Sequence, residues 1–200
     1  MASHYFSEEP LGRRGRYEFT VAVRGLTVRI VSSPGVFSAA RLDRGTRLLV
    51  ESMVIEDGWR VLDLGTGYGV VGIVAAKLAP RGYVVMTDIN RRAVRLARLN
   101  LRLNGVRNAE VRWGDLYEPV RGERFNTIVA NPPISAGMET CLRIVDGAPE
   151  HLVEGGLLQL VARHNKGGRR LMARMEEVFG NVEVLAASGG YRVYASRLSS

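Results

Sequence analysis

Cysteine occurs once, at position 141, so no disulfide can close within the chain, and a reducing compartment fits better than secretion. Histidine occurs three times, as His4, His151 and His164, without the paired spacing of zinc ligands, so no metal site is expected. No stretch approaches the ~18 consecutive apolar residues of a membrane span. The first ten residues, MASHYFSEEP, lack a basic segment followed by an apolar run. The protein is therefore expected in the cytoplasm, with no membrane partner. Lysine is nearly missing too: of 28 basic residues only Lys77 and Lys166 are lysines.

The arginines that make up the rest leave a net charge of +8. Arginine is the cation suited to bidentate phosphate contact, so a nucleic acid partner is favoured, although a genome biased toward arginine gives the same excess without one. Hydrophobic residues at 46% and charged residues at 24% exclude a disordered or collagen-like chain. With no repeat, low-complexity tract or linker, residues 1–200 are expected to form one domain, an N-terminal extension over 1–55 and a core over 56–200. Alternation of Tyr17, Phe19, Val21 and Val23, a turn at Arg24-Gly25, then Leu26, Val28 and Ile30 predict a hairpin. Asp43 or Thr46 could cap a helix running to about position 53.

From position 60 short apolar runs alternate with helical patterns. Strands are predicted at 60–64, 83–87, 111–113, 127–130 and 157–161, and helices at 70–78, 91–104, 138–152 and 168–179. Strands joined by helices give a parallel sheet covered on both faces. The last two strands, 182–185 and 191–195, are separated by too few residues for a crossover helix and must pair antiparallel. The expected fold is α/β, a mostly parallel, seven-stranded Rossmann-like sheet ending in an antiparallel hairpin.

The segment Asp63-Leu64-Gly65-Thr66-Gly67-Tyr68-Gly69 puts glycines between the first strand and first helix of this sheet, where backbone must approach a ligand closely. Nineteen residues after Gly69, Asp88 ends the next strand, placed to reach ribose hydroxyls. These features indicate an adenosine cofactor without separating a nicotinamide from S-adenosylmethionine. Asp115, followed by Leu116, could accept from an adenine amino group or simply serve a turn. The tetrad Asn131-Pro132-Pro133-Ile134 follows the fourth strand and faces the same ligand. Asn131 and Pro132 offer two oxygen acceptors in a stiffened loop. Such a pair can hold a planar amine in line with a sulfonium methyl group and stabilise the charge developing on nitrogen.

The tetrad, the glycine loop, Asp88 and the terminal hairpin resemble class I S-adenosylmethionine-dependent amino methyltransferases. The segments Pro34-Gly35-Val36-Phe37-Ser38, Leu42-Asp43-Arg44-Gly45-Thr46 and Gly189-Gly190-Tyr191-Arg192-Val193 are similar to RsmC-type small-subunit ribosomal RNA guanine-N2 methyltransferases. The resemblance implies that Phe37, Ser38 and the Asp43 to Thr46 turn close over the methionine end of the cofactor, with Thr46 and Asp63 near its amino and carboxylate groups. It places Asp88 and Ile89 at the ribose side, Asp115 at the adenine, and Asn131 to Pro133 at the target amine. Ile134 stands where many amino methyltransferases carry an aromatic residue, so Phe37 or Tyr68 is expected to supply the stacking face. The family's bacterial members carry a further N-terminal methyltransferase-like domain that has no counterpart in this sequence.

Arg91, Arg95, Arg98 and Arg102 recur on one helical face and read as a solvated row. Arg13, Arg14 and Arg16, and the group Arg163, Lys166, Arg169 and Arg170, are the better candidates for RNA contact. The expected activity is methylation of guanine N2 in ribosomal RNA or the assembling small subunit. Its rivals are a transfer RNA guanine, a protein glutamine amide, and a non-catalytic ribosome-assembly factor.

Overall fold

The structure is a computed structural model describing residues 15–36, 41–132, 134 and 137–199. An antiparallel hairpin, β1 (Tyr17–Val23) and β2 (Leu26–Ser32), leads to α1 (Arg44–Ser52), capped by the Asp43 carboxylate, which accepts from the Thr46 amide. There follow β3 (Arg60–Leu64), α2 (Val70–Leu78), β4 (Tyr83–Asp88), α3 (Arg91–Leu103), β5 (Ala109–Trp113) and β6 (Phe125–Ala130). The chain closes with α4 (Met138–His151), β7 (Leu152–Arg163), α5 (Arg169–Phe179), β8 (Glu183–Ser188) and β9 (Tyr191–Arg197). The sheet order is β5-β4-β3-β6-β7-β9-β8, parallel except for the pairs that β9 makes.

Two apolar layers cover the sheet. On one face α1, α2, α3 and the hairpin share a core that includes Ile30, Leu49, Ile73 and Met86; on the other, α4 and α5 pack Ile144, Leu171 and Met175 against Phe125 and Leu160. Helix α2 is buried from Val70 to Ala76, which explains why its sequence is apolar on every side. Gly82 lets β4 start close to β3. A Cβ built on it would lie 2.2 Å from the Trp59 carbonyl oxygen, which the Tyr83 amide holds by a 3.0 Å bond. With backbone on the other side of the clash, Gly82→Ala is expected to cost about 1–3 kcal/mol in urea unfolding.

The two final strands pair antiparallel as expected, but they are longer. β8 runs on to Ser188, leaving only Gly189-Gly190 as the turn, both with positive φ, the conformation that a two-residue hairpin turn requires. β7 starts at Leu152 instead of 157, because Gly155 and Gly156 do not interrupt it; they pair with Leu198 through backbone bonds of 2.9 Å. The α3 arginine row is exposed as expected. Two of the four exposed positions also have surface partners: Arg91 lies 3.9 Å over the Trp113 ring and Arg98 donates twice to the Val111 carbonyl. Among the described residues no helix is long and apolar enough to cross a membrane.

Candidate active site

From β3 the chain builds β4 and β5 to one side, then returns to β6 on the other, so the loops leaving β3 and β6 diverge. A cleft of about 580 Å³ opens between them, within the usual range of small-molecule sites. The predicted residues from Asp63 to Gly67 line one wall; Asp88, Ile89, Asp115 and Leu116 line one end; Thr46, Asn131, Pro132 and Ile134 line the other. Gly69 does not face the cleft. It turns the chain into α2 with φ +97°, its missing Cβ set against Ala97 and Met86. Phe37, Ser38, Pro133, Arg13 and Arg14 lie outside the described residues.

Gly65 and Gly67 have φ of +69° and +59°, and a Cβ on either would meet nothing within 4 Å. They form a cradle open to a ligand. Beneath it Asp63 is buried, accepting from the Thr66 hydroxyl at 2.5 Å and the Gly72 amide at 2.9 Å. Burial pushes its carboxyl up to about 7 against those two donors, and the charge of Asp88 adds to the rise. Asp88 accepts from the amides of Gly67 and Asn90, both at 2.8 Å, and burial raises it too. Asp115 accepts from Arg143 at 3.0 Å through Oδ2.

The Thr46 end is built around one side chain. Asn131 donates from Nδ2 to Thr46 Oγ1 at 2.9 Å and to Asp43 Oδ1 at 3.4 Å. A carboxylate can only accept, so this contact fixes the amide's orientation, and Oδ1 has no protein partner among the described residues. The Pro132 carbonyl accepts from the Ile134 amide at 2.9 Å, which leaves one of its lone pairs. Asp43 Oδ2 is buried with no hydrogen-bond partner among the described residues, an acceptor open to a donor.

A sequence profile of the Methyltransferase small domain family matches residues 27–195. The chain belongs to this family. It is an S-adenosylmethionine-dependent methyltransferase, and its cleft fits that cofactor on its own chemistry: a glycine cradle, an unpartnered buried carboxylate oxygen and two further carboxylates for an ammonium group and hydroxyls. The protein YbxB of Bacillus subtilis (strain 168), described as uncharacterized, is 32% identical over 98% of this chain and 99% of its own. Ribosomal RNA small subunit methyltransferase C of Hamiltonella defensa is 38% identical over 86% of this chain and 51% of its own. The T. thermophilus 16S rRNA N2 methyltransferase RsmC, solved with AdoMet and guanosine, superposes with a TM-score of 0.79 at 26% identity, covering 95% of this chain and 52% of that one. The chain thus spans about half the length of its ribosomal RNA methyltransferase relatives.

Sequence reasoning named Tyr191 only as part of the family-like segment 189–193 and did not place it in the cleft. Its ring lines the methyltransferase cleft, edges against Gly45 of α1, and has the Arg163 guanidinium 5.1 Å from its centroid. Tyr68 also lines the cleft, but it is only 4% exposed and set edge-on to Phe19, a poor stacking platform. Of the basic candidates, Arg163 and Lys166 reach the cleft; Arg169 lines a neighbouring cavity, and the exposed Arg16 and Arg170 line neither.

Proposed function

We propose that the protein methylates the exocyclic N2 of a guanine in small-subunit ribosomal RNA, acting in the cytoplasm. The observation that carries this reading is the fixed orientation of Asn131, whose amide nitrogen is bound back to Thr46 and Asp43 so that its oxygen is left for an amine. A guanine amine is a weak nucleophile because its lone pair is delocalised into the ring. Asn131 Oδ1 and the Pro132 carbonyl accept its two hydrogens, turn the lone pair toward the donor and stabilise the positive charge growing on nitrogen. S-adenosylmethionine supplies an electrophilic methyl group on sulfur. The methylated nitrogen then releases its proton to water, and no strong base is needed.

In this reading Asp88 holds the ribose, Asp115 and Leu116 the adenine, and Asp63 with Thr46 the methionine end. Ile134 and Tyr191 bound the target base, with Arg163 and Lys166 at the mouth where RNA enters. The guanosine and 16S rRNA of the T. thermophilus relative, and the net charge of +8, favour RNA over a protein amide. The test is transfer of labelled methyl groups to ribosomal RNA, assembled small subunits, transfer RNA and a glutamine-bearing protein, followed by digestion. Label in N2-methylguanosine from ribosomal RNA is expected. Label confined to transfer RNA or protein, or absent throughout, overturns the assignment.

The site also predicts a pH dependence. Asp63 titrates near 7 when the cleft is free, and a cationic amine beside it requires the ionised form, so binding expels a proton. Cofactor affinity is therefore expected to fall up to tenfold for each pH unit below 7 and to level off above it. Calorimetry from pH 5.5 to 8.5 checks this, with Asp63→Asn expected to bind weakly at every pH. A flat wild-type profile removes Asp63 from the methionine end.

A further inference from the structure

Beside the cleft a second cavity, of about 410 Å³, opens between the start of α5 and the β8–β9 turn. Its walls include His164, Arg169, Gly189, Gly190 and Arg192, and no carboxylate. Tyr191 lines both cavities, which makes them neighbours. Elsewhere seven arginines, such as Arg60, Arg112 and Arg174, are paired with carboxylates; neither Arg169 nor Arg192 has a carboxylate within ion-pair distance among the described residues. Arg44 approaches from α1, its Nη1 3.9 Å from where a Gly189 Cβ would stand.

Arg169 is also aimed. Its Nε donates to His164 Nε2 at 3.3 Å, and His164 Nδ1 in turn donates to the Tyr194 hydroxyl at 2.8 Å, while the Nη groups of Arg169 have no partner among the described residues. That relay needs a neutral imidazole. Desolvation and the charges of Arg192 and Arg169 hold His164 below its ordinary range, which keeps it so. Unpaired arginines beside a glycine turn, with the guanidinium fork pre-set, suit a phosphate group.

We infer that this cavity holds a backbone phosphate of the RNA strand next to the nucleotide whose base enters the cleft, bound by Arg169 and Arg192. The inference rests on the RNA reading above and extends it from a basic loop to a defined subsite, with Tyr191 lining both cavities. Its test is binding of a single-stranded oligoribonucleotide across a range of salt to wild type, Arg169→Gln, Arg192→Gln and the double variant. Each substitution is expected to weaken binding roughly tenfold and to lower the salt slope by about 0.7, while S-adenosylmethionine affinity is unchanged. Arg192→Lys, which keeps the charge, is expected to keep the slope. A double variant with the wild-type slope overturns the inference, as does one whose only defect is weakened cofactor binding. Because binding is read without methyl transfer, failure of the subsite and failure of the guanine assignment are separate results.

Discussion

Asn131→Ala is expected to lower turnover about 10²- to 10³-fold with little change in S-adenosylmethionine affinity, the loss typical of removing one transition-state hydrogen-bond partner. The asymmetry follows from which atoms are committed. Nδ2 is spent on Thr46 and Asp43, and in the proposed reaction the remaining oxygen faces a charge that grows only as the new bond forms. Thr46 and Asp43 hold each other independently, through the 3.0 Å bond from the Thr46 amide to Asp43 Oδ1, so the cap of α1 survives the truncation. Asn131→Asp should be at least as damaging, since it sets a second carboxylate against Asp43 Oδ1 where a donor stood. Single-turnover rates at saturating cofactor and RNA measure the effect, and a calorimetric Kd provides the control. Turnover within threefold of wild type in the alanine variant would remove the acceptor role from this residue.

Much of this site could be read from the chain because it depends on sequence-local chemistry. The glycines 65 and 67 need positive φ, Asp88 sits at a strand end, and Asn131 precedes prolines at another, so spacing alone placed them on one edge of the sheet. What spacing could not supply were partners far away in sequence. Tyr191 reaches the cleft only because β9 lies antiparallel beside β7, and the pairing of Asn131 with Asp43 and Thr46 joins residues more than 80 positions apart. The strand 157–161 carries one polar residue among apolar ones, Gln159, fully buried, which exchanges bonds of 2.8 and 2.9 Å with both backbone groups of Val54. Composition signals burial there; only the fold shows the polar partner. For the arginines, charge likewise does not tell a guanidinium that donates to the Val111 carbonyl from one left for a ligand.

Asn100→Ala is expected to cost about 3–4 kcal/mol of stability, a large part of the roughly 5–15 kcal/mol that holds such domains folded. Asn100 is fully buried on α3 and acts as a missing strand for the hairpin: its Oδ1 accepts from the Val31 amide at 2.8 Å, and its Nδ2 donates to the Val31 carbonyl at 2.9 Å. The same Nδ2 donates to the Tyr68 carbonyl at 2.7 Å, inside the glycine loop. Truncation strands three backbone groups, the Tyr68 carbonyl buried and the two Val31 groups part-buried, so water replaces the amide only in part. One turn later Asn104 makes the same double contact with Arg29, at 2.9 and 2.7 Å, but in an exposed position. There water replaces the amide, and Asn104→Ala should cost under about 1 kcal/mol. Urea unfolding of the two variants therefore isolates burial from bonding pattern, and equal costs would refute the account. Because Tyr68 lies between Gly67 and Gly69, Asn100→Ala should also weaken S-adenosylmethionine binding, whereas Asn104→Ala should leave it unchanged. Docking of the N-terminal hairpin and the shape of the cofactor loop depend on the same buried amide, so a hairpin that loosens takes the loop with it.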